Sequence, residues 1–357
     1  MWIDPFSLRL DSPLGTAAGP ITERRGFLVG TEVDGIRGIG EATPLPGWTE
    51  SYESCRTALH ETAESVSTDA LSAIEGPDPV ATPAAAHGVD LARLDAAARR
   101  DGRPLAAVLR ERGFDTDRQL PDRVPVNATI GDGTADETVS AATDAVAEGF
   151  EWLKLKVGVR APDVDLKRVE AVREAVDDGV RLRLDANGAW DRATARRLVD
   201  RLAEIGIEYL EQPLPADDLD GLAALRGHGV DIAVDESLAA SSVEAVVDAG
   251  AADVVVIKPM AVGGPSRAVA AAATARDAGI EPVVTTTVDG VVARAAAVHV
   301  AAAIPDVTAC GLATGSLLAE DFAVDPVSIT EGRASLPAGH GLGEGFDALR
   351  HSDPSYK

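Results

Sequence analysis

The sequence predicts an α/β protein: a barrel of parallel strands alternating with helices, joined to a smaller α+β unit. Three observations predict it. Eight short apolar segments recur from residue 124 onward: VPVNATI (124–130), WLKLKVG (152–158), RLRLDANG (181–188), IEYLEQPL (207–214), DIAVDES (231–237), DVVVIKP (253–259), PVVTTTV (282–288) and ACGLATG (309–315). Their starts lie 22 to 29 residues apart, with alanine-rich stretches between them, which is the rhythm of βαβ units. Eight units in about 190 residues fit a closed barrel better than an open sheet.

The N-terminal part reads differently. SLRLDSPL alternates apolar and polar residues, and RRGFLVGTEVDGIRGIGEA reads as a hairpin turning at Asp34-Gly35. Residues 51–110 read as helical, with Thr49 or Ser51 as N-cap and Leu91, Leu94, Ala97 and Ala98 on a helical period. Pro104 and the polar stretch GFDTDRQLPDR mark a boundary before the barrel. The expected organisation is a cap over 1–120, a barrel over 121–316, and a weakly periodic segment over 317–357 that packs back on the cap.

The chain has 357 residues, of which 45% are apolar, enough for a sizeable core. Lys and Arg number 33 against 58 Asp and Glu, a formal charge of −25. That balance opposes nucleic acid and anionic membrane as partners, because phosphate binding needs a positive surface. No apolar run reaches the roughly 18 residues of a membrane helix. The start, MWIDPFSLRLDSPLG, lacks the basic head and apolar core of a signal peptide, so the expectation is cytoplasmic. Cys55 and Cys310 make no disulfide framework. Lysine is scarce: Lys154, Lys156, Lys167, Lys258 and Lys357. Acid excess with few lysines suits a protein soluble in concentrated salt, so a halophilic cytosol is expected. A lysine kept inside an apolar strand then points to chemistry, since lysine titrates and arginine effectively does not.

Active sites of such barrels lie where the strands finish. Lys154 and Lys156, two apart on one strand, share a face. Asp185, Glu211 and Asp235 end the next three strands, and Lys258 ends the one after. Converging carboxylates repel unless a positive charge sits among them, and hard oxygen ligands suit Mg2+, with Mn2+ as the alternative. A metal flanked by two amines is suited to removing a proton from the carbon next to a carboxylate. Lys156 would take the proton, and an ammonium at Lys154 would help keep it neutral. Taken singly, Asp185 could also cap a helix, and Asn187 and Glu236 could be structural hydrogen-bonding groups. The histidines show no metal spacing, and Gly263-Gly264 reads as a helix entry, not a phosphate loop.

KLKVG (154–158), LDANGAW (184–190), YLEQPL (209–214), VDES (234–237) and IKPMAVGG (257–264), in this order and spacing, resemble the enolase superfamily and its muconate-lactonising branch. GEATPLPGW (40–48) and HGVDLARLDAAARRDGRPL (87–105) resemble the capping domain of that family. The resemblance implies a (β/α)7β-type barrel under an α+β cap, and a lysine base working with Mg2+ on a small carboxylate. VPVNATIG (124–131) and ACGLATGSLLAEDF (309–322) look like ortho-succinylbenzoate synthases, which dehydrate 2-succinyl-6-hydroxy-2,4-cyclohexadiene-1-carboxylate in menaquinone synthesis. Carried over, Lys156 is the acid–base group, Lys154 its electrostatic partner and Lys258 a cation across the ring. Asp185, Glu211 and Asp235 bind Mg2+, with Asn187 and Glu236 supporting them. The backbone near Gly315 and Ser316 would hold the succinyl carboxylate. Arg24 and Arg25 fall where this branch carries a lid and could meet an anionic substrate or stay on the surface. Trp48 reads as packing or pocket lining.

Within the same branch, a dipeptide or N-acylamino acid epimerase or racemase would use Lys156 and Lys258 as two bases. The Asp-x-Asp that dipeptide epimerases usually carry near the last strand is replaced here by LATGSLL. A muconate-type cycloisomerase, a Schiff-base aldolase working through Lys258 and a non-catalytic binding protein complete the alternatives. A homo-oligomer is left open.

Overall fold

The computed structural model describes residues 1–15, 19–65 and 76–350. The expected lid near 15–26 therefore lies partly outside the described residues. Strands β1 (Trp2–Leu14), β2 (Ile21–Val33) and β3 (Ile36–Ala42) form an antiparallel meander. Asp34 and Gly35 both take positive φ between paired Val33 and Ile36, the two-residue turn expected for a right-twisted hairpin. Helix α1 (Tyr52–Ser65) starts at Ser51, whose Oγ accepts the Ser54 N–H at 3.1 Å. Thr49, the other candidate cap, instead accepts the Leu45 N–H.

Helix α2 (Pro83–Arg100) packs closely on the meander because β3 presents Gly38 and Gly40 to it. A Cβ on Gly40 would come within 2.0 Å of the Gly88 carbonyl, and one on Gly38 within 2.1 Å of the Ala92 carbonyl. Helix α3 (Leu105–Gly113) is separated from α2 by Pro104, which cannot continue a helix across its missing N–H.

The barrel strands follow in order. The segment 124–130, expected as one strand, is two. Strand β4 (Arg123–Pro125) pairs antiparallel with the tail, and β5 (Ala128–Ile130) enters the barrel. After β5 come α4 (Ala135–Ala147), β6 (Trp152–Lys156), α5 (Pro162–Ala175), β7 (Arg181–Asp185), α6 (Arg192–Ile205), β8 (Ile207–Glu211), α7 (Leu219–Leu225) and β9 (Asp231–Val234). Then follow α8 (Glu236–Ala240), α9 (Val243–Ala249), β10 (Val254–Ile257), α10 (Pro265–Asp277), β11 (Glu281–Val284) and α11 (Val291–Ala303). Strands β5 to β11 form one parallel sheet in sequence order. Its edges meet through two residues: Cys310 bridges Val126 beside β5, and Gly311 bridges Thr285 beside β11, both parallel. The eighth strand position is thus filled by a short bridge, followed by a single 3-10 turn at Gly315–Leu317 in place of a barrel helix.

Alternation on the strands divides the core in two. Leu153, Leu155, Leu182, Leu184, Leu210, Ile232, Val255 and Ile257 are buried in the layer with the helices. Each such side chain contributes roughly 1.5–3 kcal/mol on burial. Residues of the other parity face the barrel axis, where Tyr209, Ala233, Val254 and Val283 form a small plug. The same parity carries Lys154, Lys156, Asp185, Glu211, Asp235 and Lys258 to the carboxyl ends of the strands.

In the tail, β12 (Ile329–Thr330) pairs with β13 (Arg333–Ser335), which pairs with β4. The last helix, α12 (Asp347–Arg350), is tied to the cap by Arg350, which meets the buried Asp95 of α2 at 2.8 Å. Asp95 also accepts the N–H groups of Ile39 and Leu342.

Candidate active site

Lys156, Asp185 and Glu211 sit side by side in the register of β6, β7 and β8. Asp235 follows β9 directly, and Lys258 follows β10. The sheet order places the lysines of β6 and β10 on either side of the three carboxylate strands. Five charged side chains that are far apart in the chain therefore converge at one mouth.

Each carboxylate faces a lysine amine. Lys156 Nζ lies 2.6 Å from Asp185 Oδ2 and donates to Asn187 Oδ1 at 2.9 Å. Lys154 Nζ lies 2.8 Å from Glu211 Oε1 and 3.1 Å from Asp185 Oδ2. Lys258 Nζ donates to both oxygens of Asp235 at 2.6 Å. On its other side lies the face of Trp48, its centroid 3.1 Å from Nζ, a desolvated cation–π contact. Lys156 is the most accessible of the three, with 34% of its side chain exposed against 13% and 10% for Lys154 and Lys258. The open position suits the group that exchanges protons with a substrate.

The electrostatics separate these groups. Burial disfavours charge on Lys154, but Asp185 and Glu211 outweigh it and raise its pKa well above the usual lysine value, so it stays an ammonium. Burial also works against the Asp185 carboxylate, yet Lys154 and Lys156 hold its pKa well below the usual range. Glu211 is pushed up to about 8 by burial and then by Asp185, with which it shares Lys154. Glu236 is also raised, by burial and by Asp235.

Among the described residues, no three His, Cys, Asp or Glu side chains form a ready-made metal cage, and the three carboxylates instead pair with lysines. The donor set nevertheless fits a divalent cation. Glu211 Oε2 is buried without a hydrogen-bond partner, beside a carboxylate that repels it. A buried unpaired carboxylate oxygen is costly unless a cation or donor reaches it. Asp185, Glu211 and Asp235 supply hard oxygens from three adjacent strands. Glu236 Oε2 is likewise buried and unpaired, while its Oε1 accepts from Asn187 Nδ2 at 3.0 Å.

The backbone around this set is specialised. Asn187 and Gln212 adopt φ of 44° and 38°, uncommon for residues other than glycine. Gln212 has a role that its place in the sequence motif does not specify. It is fully buried, and its Oε1 accepts from the N–H groups of Asp235 and Ser237 at 3.0 and 3.1 Å. Its Nε2 donates to the Leu214 carbonyl and to Ser237 Oγ. Gln212 therefore fixes the turn that carries Asp235. The available signal was an amide placed between a strand-ending Glu and a proline. Arg168 was also missed: it donates to the Lys156 carbonyl at 3.2 Å and pairs with Asp165 at 2.7 Å.

Arg24, Gly315 and Ser316, also expected at the site, have other partners and neighbours. Arg24 belongs to β2 and not to a loop, and it is buried. Its guanidinium donates to the carbonyls of Thr43, Pro44 and Val288, so it is occupied by the protein itself. Strand pairing of Arg24 with Leu8 turns the side chain inward, whereas Arg25 is exposed and stacks on Tyr52. Gly315 and Ser316 start a short turn and line a cavity of about 1150 Å³ with Ala141 and Ala145 of α4 and Val298 of α11. No hydrogen bond links either to the lysines or carboxylates among the described residues. Val288, in the turn before α11, has φ of 60°, which costs a β-branched residue on the order of 1–3 kcal/mol.

Comparison with known proteins shows the family and supports the fold. Residues 137–349 match the family described as Enolase C-terminal domain-like. The chain belongs to the enolase superfamily. It is 35% identical over 260 residues to muconate cycloisomerase 1 of Rhodococcus opacus, covering 71% of this chain and 68% of that one. It is 42% identical over 211 residues to the o-succinylbenzoate synthase of Thermobifida fusca, covering 58% of this chain and 64% of the relative, so that match spans less than two thirds of the relative's length. The dipeptide epimerase of Enterococcus faecalis, solved with Mg and the dipeptide L-Leu-L-Tyr, superimposes with a TM-score of 0.82 at 28% identity, covering 96% and 98% of the two chains. The comparisons support catalysis of lyase or isomerase type for this superfamily member. Among the described residues, no helix is long and apolar enough to cross a membrane.

Proposed function

We propose that this enzyme dehydrates 2-succinyl-6-hydroxy-2,4-cyclohexadiene-1-carboxylate to 2-succinylbenzoate. The observation that carries the reading is the pair of lysines flanking three strand-end carboxylates, with Lys156 open and Lys258 enclosed. The likeness to an o-succinylbenzoate synthase supports this member of the reaction class, and the absence of Asp-x-Asp in LATGSLL counts against a dipeptide epimerase.

Asp185, Glu211 and Asp235 would hold Mg2+, which supplies positive charge against the substrate carboxylate as negative charge builds there. Lys156 Nζ, in its neutral form, accepts the proton from the ring carbon beside that carboxylate. The same proton then leaves on the hydroxyl group as water, and the ring becomes aromatic. Lys154 keeps a fixed positive charge beneath the reacting end. Lys258, shielded from water by Trp48, presents its ammonium from the opposite side. Arg168 and Asn187 hold Lys156 at its carbonyl and its amine respectively.

The test is an ultraviolet assay with the cyclohexadiene acid, with and without Mg2+. The expected result is an aromatic chromophore that needs Mg2+, is lost in EDTA, and falls by about 10²–10⁴ in Lys156→Ala. No chromophore with the wild-type enzyme would overturn the assignment. The runner-up is a muconate-type cycloisomerase, favoured by the Rhodococcus relative. It predicts turnover of a muconate without aromatisation. A racemase would instead wash solvent deuterium into both stereoisomers of an N-acylamino acid.

A further inference from the structure

Trp48 reaches Lys258 from the cap, so something must hold two parts of the molecule in register. The turn that carries it is fixed at both ends. At its far end, Glu50 accepts the N–H groups of Ala84 and Ala85 at the start of α2. Within the turn, Leu45 N–H donates to Thr49 Oγ1 at 2.7 Å, and Trp48 N–H to the Leu45 carbonyl at 2.9 Å. At its near end stands Arg24. Its Nη2 donates to the Thr43 carbonyl at 2.8 Å, its Nη1 to the Pro44 carbonyl at 3.2 Å, and its Nε to the Val288 carbonyl at 3.1 Å. Thr43 and Pro44 open the Trp48 turn, whereas Val288 lies in the barrel turn between β11 and α11. One guanidinium therefore joins cap to barrel, with Asp289 at 3.9 Å as its counter-charge.

Neighbouring contacts follow the same line. Glu41 accepts the N–H groups of Gly290 and Ala293 at the start of α11. Thr43 Oγ1 donates to Glu41 at 2.5 Å, and Thr43 N–H meets the Met260 sulfur, two residues past Lys258, at 3.5 Å. Among the described residues, Arg24 alone donates to both the cap turn and the barrel turn. A planar fork of donors can serve three carbonyls at once; a single ammonium cannot do so in the same geometry.

We infer that Arg24 is a positioning residue, which ties the Trp48 turn to the β11–α11 turn and so holds the indole against Lys258. This replaces the expectation that it meets substrate. The kinetic consequence rests on the proposed reaction; the placement of Trp48 does not. The experiment compares wild type with Arg24→Met, Arg24→Lys, Trp48→Leu, the double variant Arg24→Met/Trp48→Leu, and Arg110→Met. Arg110 is a buried arginine that holds the Ala302 and Ala303 carbonyls at the far end of α11, and it serves as a control for general loss of packing.

The Trp48 emission is read as the difference from Trp48→Leu, with acrylamide quenching. In Arg24→Met it should shift to the red and quench more readily, while Arg110→Met leaves it unchanged. In the aromatisation assay, kcat/KM of Arg24→Met should fall about 100-fold, the scale of a small misplacement. The double variant should be no worse than Trp48→Leu alone, and Arg24→Lys should recover part of both signals. If Arg24→Met does not fold, Arg24→Lys carries the comparison. Wild-type emission in the folded Arg24 variant, or effects that multiply in the double variant, would overturn the inference. If the enzyme does not aromatise the substrate at all, the proposed function fails while the emission data still decide the role of Arg24.

Discussion

Replacing Glu211 by glutamine should stabilise the metal-free protein and destabilise the metal-loaded one. Glu211 is fully buried, one of its oxygens has no partner, and it competes with Asp185 for Lys154. Burial and Asp185 raise its pKa from 4.5 to about 8. A carboxyl whose pKa is higher folded than unfolded binds more protons in the folded state, so stability falls as pH rises from about 4.5 through about 8. At about 1.36 kcal/mol per pKa unit, the ceiling on that loss is about 5 kcal/mol. Readjustment of Lys154 and Asp185 reduces it. Glu211→Gln removes the titration and keeps the shape. In EDTA its melting temperature should match wild type near pH 5 and exceed it near pH 9, by roughly 2 °C per kcal/mol. In excess Mg2+ the order should reverse, because wild type gains binding energy that the amide cannot supply. The measurement is a set of thermal melts across pH, with and without the ion. A variant that melts below wild type in EDTA at pH 9, or a wild type indifferent to Mg2+, would refute the reasoning.

Further outcomes follow from the same structure. Gln212→Ala should weaken Mg2+ affinity by about 10–100-fold in a calorimetric titration, since the Asp235 and Ser237 N–H groups lose their acceptor. His299 is buried and neutral, and burial lowers its pKa to about 4. The unfolded chain therefore binds the extra proton, and stability should be lost as pH falls from about 6.5 through 4, by about 3 kcal/mol in denaturant titrations. His299→Asn, which keeps an acceptor for the Ala106 N–H, should flatten that limb. With a charge of −25, repulsion across the surface should ease as KCl rises from millimolar to molar, raising the melting temperature. A flat or falling trend would argue against a halophilic protein.

Much of the site was legible because barrel geometry turns sequence spacing into position. Once Lys156, Asp185, Glu211, Asp235 and Lys258 were placed at the ends of successive strands, their convergence followed from parity and strand order alone. Gln212 and Arg168 were not legible in this way. Their roles depend on which backbone groups they reach, and a propensity or a motif carries no such information.

The sequence by itself determined the alternation of strands and helices, the shared face of the charged residues and the acidic surface, since these depend only on local periodicity and composition. Tertiary structure alone decided three further points. The apolar run 124–130 is divided between two sheets, because the tail strand β13 competes for its first half. The barrel closes through Cys310 and Gly311 instead of a full strand, because two residues suffice to bond both edges. The carbonyl partners of Arg24 are a third such point, because they lie 19 to 264 residues away along the chain and meet only when the cap sits on the barrel.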